Sequence, residues 1–170
     1  KLEEDGNLNH VFSMPGSLDG IMMHQNRMIC IGMTHQHLQE VHMFDETLSV
    51  IETCTSFNTW LDAYDVITPE VVECHFDNHT VKGFVLLPND YDASKSHQAI
   101  LNIHGGPKTV YGQVFYHEMQ YWANQGYVVM FANPRGSDGK GDRFADIRGK
   151  YGTIDYEDLM AFVDQVLKTY

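Results

Sequence analysis

Two short apolar runs, Ala99-Ile-Leu-Asn-Ile103 and Tyr127-Val-Val-Met-Phe131, stand on either side of one helix-length segment. Runs this short without polar alternation read as strands covered on both faces. Between them, Phe115, Met119 and Trp122 fall at i, i+4 and i+7, so residues 114–124 present one apolar helical face. Gln125-Gly126 closes that helix, with glycine taking the left-handed position beyond the last turn. Strand, helix and strand in this order demand a right-handed crossover and hence a parallel or mixed sheet. The second half of the chain is therefore expected to be α/β.

The flanking sequence extends this reading. Residues 71–76 and 81–87 are β-patterned and flank Asp77-Asn78-His79-Thr80, a hairpin ended by Pro88. Towards the end, Asp155 is expected to cap a helix whose apolar residues Leu159, Phe162, Val163, Val166 and Leu167 keep helical spacing. The first part differs. Residues 10–14, 28–33, 41–44 and 48–51 are strand candidates recurring at about 8–12 residues, the rhythm of a meander or a propeller blade. Four strands cover little core by themselves, so this piece is expected to belong to a larger sheet structure. The polar stretch 52–68, with Thr68-Pro69 at its end, reads as a linker. The expected boundary lies near Asp62, giving domains 1–62 and 63–170.

Composition narrows the function classes. A net charge of -12 argues against nucleic-acid and anionic-membrane partners, which call for clustered Lys and Arg. No apolar run approaches the roughly 20 residues of a membrane helix. Three widely spaced cysteines, Cys30, Cys54 and Cys74, suit reduced thiols in a cytoplasmic protein better than a disulfide framework. His35 and His37 would share one face of a strand, with His42 nearby, but polar alternation accounts for them and no metal or other cofactor is expected.

The chemistry concentrates at His104-Gly105-Gly106-Pro107, directly after the first apolar run. Two glycines let the backbone turn sharply and expose N–H groups. Such a turn contributes to oxyanion holes in acyl-transfer enzymes, although a lone His-Gly-Gly is more often a plain tight turn. The second run ends in Asn133-Pro-Arg-Gly-Ser-Asp-Gly-Lys-Gly141. Its spacing fits neither a phosphate loop nor a dinucleotide fingerprint. It reads instead as a loop converging with the first at the carboxyl end of the sheet, where α/β proteins bind ligands. His104, Gly105, Pro107 and Arg135 are thus the candidate substrate-binding residues, with Arg135 better suited to fixing its loop against carboxylates or carbonyls than to meeting substrate. The serines at 13, 17, 49, 56, 94, 96 and 137 all lie outside a G-x-S-x-G pattern, so no nucleophile elbow is present.

His104-Gly-Gly-Pro, Gly126-Tyr-Val-Val, Asn133-Pro-Arg-Gly-Ser-x-Gly-x-Gly and Gly152-x-x-Asp-Tyr-Glu-Asp-Leu159 follow one another in this order. The set resembles the prolyl oligopeptidase family of serine peptidases, most closely its acylaminoacyl-peptidase and dipeptidyl-peptidase-like branch. The resemblance covers residues 70–167 and extends more weakly through 1–62. It implies the N-terminal half of an α/β-hydrolase domain, preceded by the last strands of a β-propeller. It further implies that the Gly106 backbone N–H forms part of an oxyanion hole, the second donor following the nucleophilic serine. Some members place a tyrosine where His104 stands; histidine is as in the acylaminoacyl branch, and the backbone role outweighs a side-chain one. The implied activity is hydrolysis of short or N-acylated peptides through an acyl-enzyme by the parent protein. These 170 residues alone are expected to be inactive and to need the other half of the hydrolase domain or another chain to pair with. An esterase of the same class and a non-catalytic binding module are the alternatives.

Overall fold

The computed structural model describes residues 6–7, 9–10, 15–45, 47 and 50–170, and these fall into two compact units. The strand expected over 10–14 lies almost wholly outside the described residues.

The first unit runs through Asp65 and includes Gln113–Phe115. Its four strands, β1 (Ser17–His24), β2 (Arg27–Met33), β3 (Glu40–Phe44) and β4 (Val50–Thr53), form an antiparallel meander in chain order. Gln25 and Asn26 join β1 to β2 with φ of 46° and 62°, the left-handed pair that a two-residue hairpin needs. Met28, Cys30 and Phe44 are its buried cluster. Strand β1 lies outside the strand candidates read from the sequence, and it contains Asp19-Gly20, a pair of turn composition. The pair instead sits at a register shift between Leu18 and Gly20, a bulge within the strand. The expected linker contains the end of β4 and a short 3-10 turn, Thr59–Ala63.

The second unit comprises Val66–Gly112 and Tyr116–Tyr170. Strands β5 (Glu70–Phe76), β6 (His79–Leu86), β7 (Ala99–Asn102) and β8 (Val128–Asn133) form one sheet in the order β5-β6-β8-β7. Strand β6 pairs antiparallel with both β5 and β8, whereas β7 runs parallel to β8, so the sheet is mixed. The β5–β6 turn is two residues, Asp77 and Asn78 at φ 47° and 62°, rather than the four expected. Asn tolerates this conformation better than most residues because its short polar side chain bonds locally.

Helices cover both faces. Helix α1 (His117–Asn124) packs Met119 and Ala123 onto Phe84, Leu86, Val129 and Phe131. Helix α3 (Ile154–Thr169) packs Leu159, Phe162 and Val166 onto Val81, Val85, Met130 and Ala132. The period of two along β8 thus sends alternate residues to opposite layers, and all six of its residues are buried. Between them, α2 is a single turn, Asp142–Ala145, hidden in sequence by the surrounding glycines. Helix α1 begins at His117 rather than Val114: Tyr116 is extended, and the Phe115 N–H is taken by the Thr34 carbonyl at 2.9 Å. Gly126, at φ 92°, ends the helix as expected, its N–H bonding Ala123 O. Asp155 does not cap α3; Thr153 holds that place and Asp155 lies in the first turn. Among the described residues no helix is long and apolar enough to cross a membrane.

Candidate active site

The parallel pair β7–β8 sends both following loops to the same sheet edge, the relationship that gathers sites in α/β proteins. The first loop contains His104-Gly105-Gly106-Pro107; the second begins at Asn133. They are tied to one another at several points. His104 Nε2 lies 2.9 Å from Ser137 Oγ, and Ser137 has no exposed surface. Asp138 N–H donates to Thr109 O at 2.8 Å. A side chain at Gly136, whose φ is 101°, would strike Ile147 and crowd Pro107. Ser137, the serine nearest to an elbow pattern, is thus a buried tie and not an accessible nucleophile.

The other nitrogen of His104 bears on the glycine turn. Nδ1 sits 3.2 Å from Gly105 O, which can only accept, so the hydrogen is on Nδ1 and in the neutral ring the Ser137 hydroxyl donates to Nε2. Gly105 C=O and Gly106 N–H belong to one trans peptide plane and point in opposite directions. Holding the carbonyl toward His104 therefore turns the Gly106 N–H outward. That N–H has no partner among the described residues, and Gly106 is exposed. Gly106 itself adopts φ 126°, which L side chains rarely enter, and a Cβ there would sit 3.1 Å from Lys108 N.

At the far end of the first loop, Tyr111 is held from two strand termini. Asn133 accepts from its backbone N–H at 2.8 Å and donates to its carbonyl at 2.9 Å. Its hydroxyl donates to Asn102 at 2.5 Å, and its ring meets that of His104 edge-on. Burial, with smaller contributions from Tyr116 and Glu118, pushes the Tyr111 phenol up to about 12. Asn133 opens the glycine-rich motif of the second loop, whereas neither Asn102 nor Tyr111 is marked by a sequence pattern.

Arg135 faces its own chain. Its Nε and Nη2 donate to the fully buried carboxylate of Asp158, and its backbone N–H donates to Asp158 Oδ2 at 2.8 Å. Nη1 donates to Asp77 at 2.6 Å and Nη2 also reaches Ile154 O. His79 Nε2 lies 3.1 Å from Asp158 Oδ1, off line for a hydrogen bond, and is otherwise unpartnered. Among the described residues no group of three or more His, Cys, Asp or Glu is arranged to hold a metal ion.

Residues 113–170 match the Prolyl oligopeptidase family. Over these residues the likeness is to that family. An uncharacterized peptidase of Bacillus subtilis is 41% identical over 103 residues, 60% of this chain and 16% of the relative. Dipeptidyl-peptidase 5 of Aspergillus oryzae is 33% identical over 126 residues, 71% of this chain and 17% of the relative. The acylaminoacyl peptidase of Pyrococcus horikoshii superposes with a TM-score of 0.86 at 24% identity, covering 97% of this chain and 26% of that one. The last comparison establishes a shared fold. The chain spans about one sixth of the length of the curated relatives it matches.

Proposed function

We propose that this chain is part of a serine peptidase of the prolyl oligopeptidase family, and that Gly106 supplies one oxyanion-hole donor. The observation that carries the reading is the outward, unpartnered Gly106 N–H at the end of a parallel strand, on a loop tied down at His104 and Tyr111. A donor fixed in advance stabilises the charge that develops on a carbonyl oxygen under attack without reorganising during the reaction. One such donor contributes about 10²–10³ in kcat. The nucleophilic serine, its histidine and its acid are assigned to the rest of the full-length protein, since these 170 residues contain no G-x-S-x-G. The β1–β4 meander is read as the end of a propeller, and the unit from Val66 as the first half of an α/β-hydrolase domain. Short or N-acylated peptides are the proposed substrates.

In this reading His104, Gly105 and Pro107 shape the donor loop, and Arg135 anchors its neighbour instead of meeting substrate. The test uses the full-length protein. Labelling by a fluorophosphonate probe, with cleavage of acyl-amino-acid anilides faster than short-chain esters, is expected. Preference for the esters would establish the esterase alternative, and absence of serine labelling would remove the hydrolase reading altogether.

A further inference from the structure

The two strands that bring the loops together both end in asparagine, Asn102 on β7 and Asn133 on β8, and both asparagines bind one residue, Tyr111. Their contacts divide the work. Asn133 takes both backbone groups of Tyr111 with its one amide, reproducing the two-bond exchange of an antiparallel strand pair where no strand exists. Asn102 takes the hydroxyl nine residues away in sequence, closing residues 103–110 into a ring that contains the glycine turn. Asn133 is 7% exposed, so its four-point amide is placed where an unmatched polar group is costly.

We infer that Tyr111, held by Asn102 and Asn133, is a positioning residue that fixes the far end of the donor loop and so the direction of the Gly106 N–H. The path is short: Tyr111 is gripped, Thr109 O is bonded by Asp138, and Thr109 N–H bonds Pro107 O beside Gly106. The loop is thereby ordered before substrate arrives, and the entropy of ordering it does not add to the barrier. The inference rests on the peptidase reading above.

Tyr111→Phe removes one oxygen and keeps the ring that packs on Phe131, Tyr116 and His104. In the full-length protein it is expected to lower kcat about tenfold with KM changed less than about twofold, and to weaken a peptidyl trifluoromethyl ketone, which forms a tetrahedral adduct, in step with kcat. Asn102→Ala is expected to lower kcat by a similar factor, and the double variant no further, since both delete one contact. Hydrogen exchange at residues 104–110 is expected to quicken in each variant while that of β6 and β8 is unchanged. Wild-type kcat, ketone affinity and loop exchange in Tyr111→Phe would overturn the inference. So would a fall in kcat that tracks a general loss of protection across the sheet. A wild type that the fluorophosphonate leaves unlabelled overturns the peptidase reading instead, and loop exchange then decides the positioning role by itself.

Discussion

Arg135 lays two guanidinium nitrogens and its own backbone N–H onto Asp158, a carboxylate with no exposed surface. The second loop of the site is thus bolted to helix α3; Arg135 also pairs with Asp77 and faces Glu157 at 3.9 Å, and His79 Nε2 stands 3.1 Å from Asp158. The pairing holds the Arg135 guanidinium above its ordinary range, chiefly through the hydrogen bonds it donates to Asp158.

Breaking this pair strands a buried charge. Asp158→Asn and Arg135→Ala are each expected to destabilise the fold by about 3–5 kcal/mol, read by denaturant unfolding. Arg135→Lys is expected to recover less than half of that, because a point charge cannot span both Asp158 oxygens and Asp77. Equal stability for Lys and Arg at this position would show that the fork geometry is irrelevant.

The two glycines of the turn are not equivalent. Gly106 has φ 126° and a close backbone neighbour, whereas a Cβ at Gly105 meets nothing within 4 Å. Gly106→Ala is expected to reduce kcat of the full-length protein by about 10²–10³ as the donor turns away. Gly105→Ala is expected to leave stability within about 0.5 kcal/mol of the parent. Thermal unfolding and steady-state kinetics of the pair test the assignment; indistinguishable kinetics for both would place the donor elsewhere.

His104 acts on the same peptide plane. With His104→Ala the Gly105 carbonyl loses its partner and the Gly106 N–H its direction, for an expected loss of up to about 10² in kcat. His104→Asn keeps a donor at the Nδ1 position and is expected to retain more activity than Ala. An Asn variant no better than Ala would count against the carbonyl contact as the operative one.

At high pH the tyrosines report on the fold. Tyr111 and Tyr170 both stand at about 12, burial being the main cause in each, with Glu70 adding to it at Tyr170. The folded values lie above the unfolded value of about 10, so folding retains the protons. Stability is therefore full below about pH 10 and falls as pH rises toward 12. Phenolate absorbance is expected to show Tyr111 and Tyr170, with Tyr116 also raised by burial, titrating late in the native protein and none of them late after denaturation. Tyr111→Phe should remove one of them and soften the alkaline loss.

Much of the second unit was legible because its signals are local. Apolar runs gave β7 and β8, the Asp-Asn hairpin gave β5 and β6, and the 3.6-residue spacing of Leu159, Phe162 and Val166 gave α3. Errors arose where a distant group decided the outcome. Phe115 keeps apolar spacing with Met119, yet its N–H serves Thr34 and the helix starts later. Asp19-Gly20 has turn composition, yet pairing with β2 absorbs it as a bulge. The glycine turn was visible; what aims it was not. His104 and Ser137 are 33 residues apart, and Tyr111 and Asn133 are 22 apart, so their contacts follow from the β7–β8 pairing and from no spacing in the chain.

Gly83 lies on β6 beneath helix α3, where a Cβ would fall 2.7 Å from Ala132 Cβ and closer still to the Phe162 ring. Phe162 and Asp158 are one helical turn apart on the buried face of α3. The missing side chain at Gly83 therefore works as a gauge that sets the height of the helix above the sheet. That height is also the length allowed to the Arg135–Asp158 clasp. A single methyl group inserted in the middle of a strand would shim the helix outward and stretch a clasp that stands a full turn away from it.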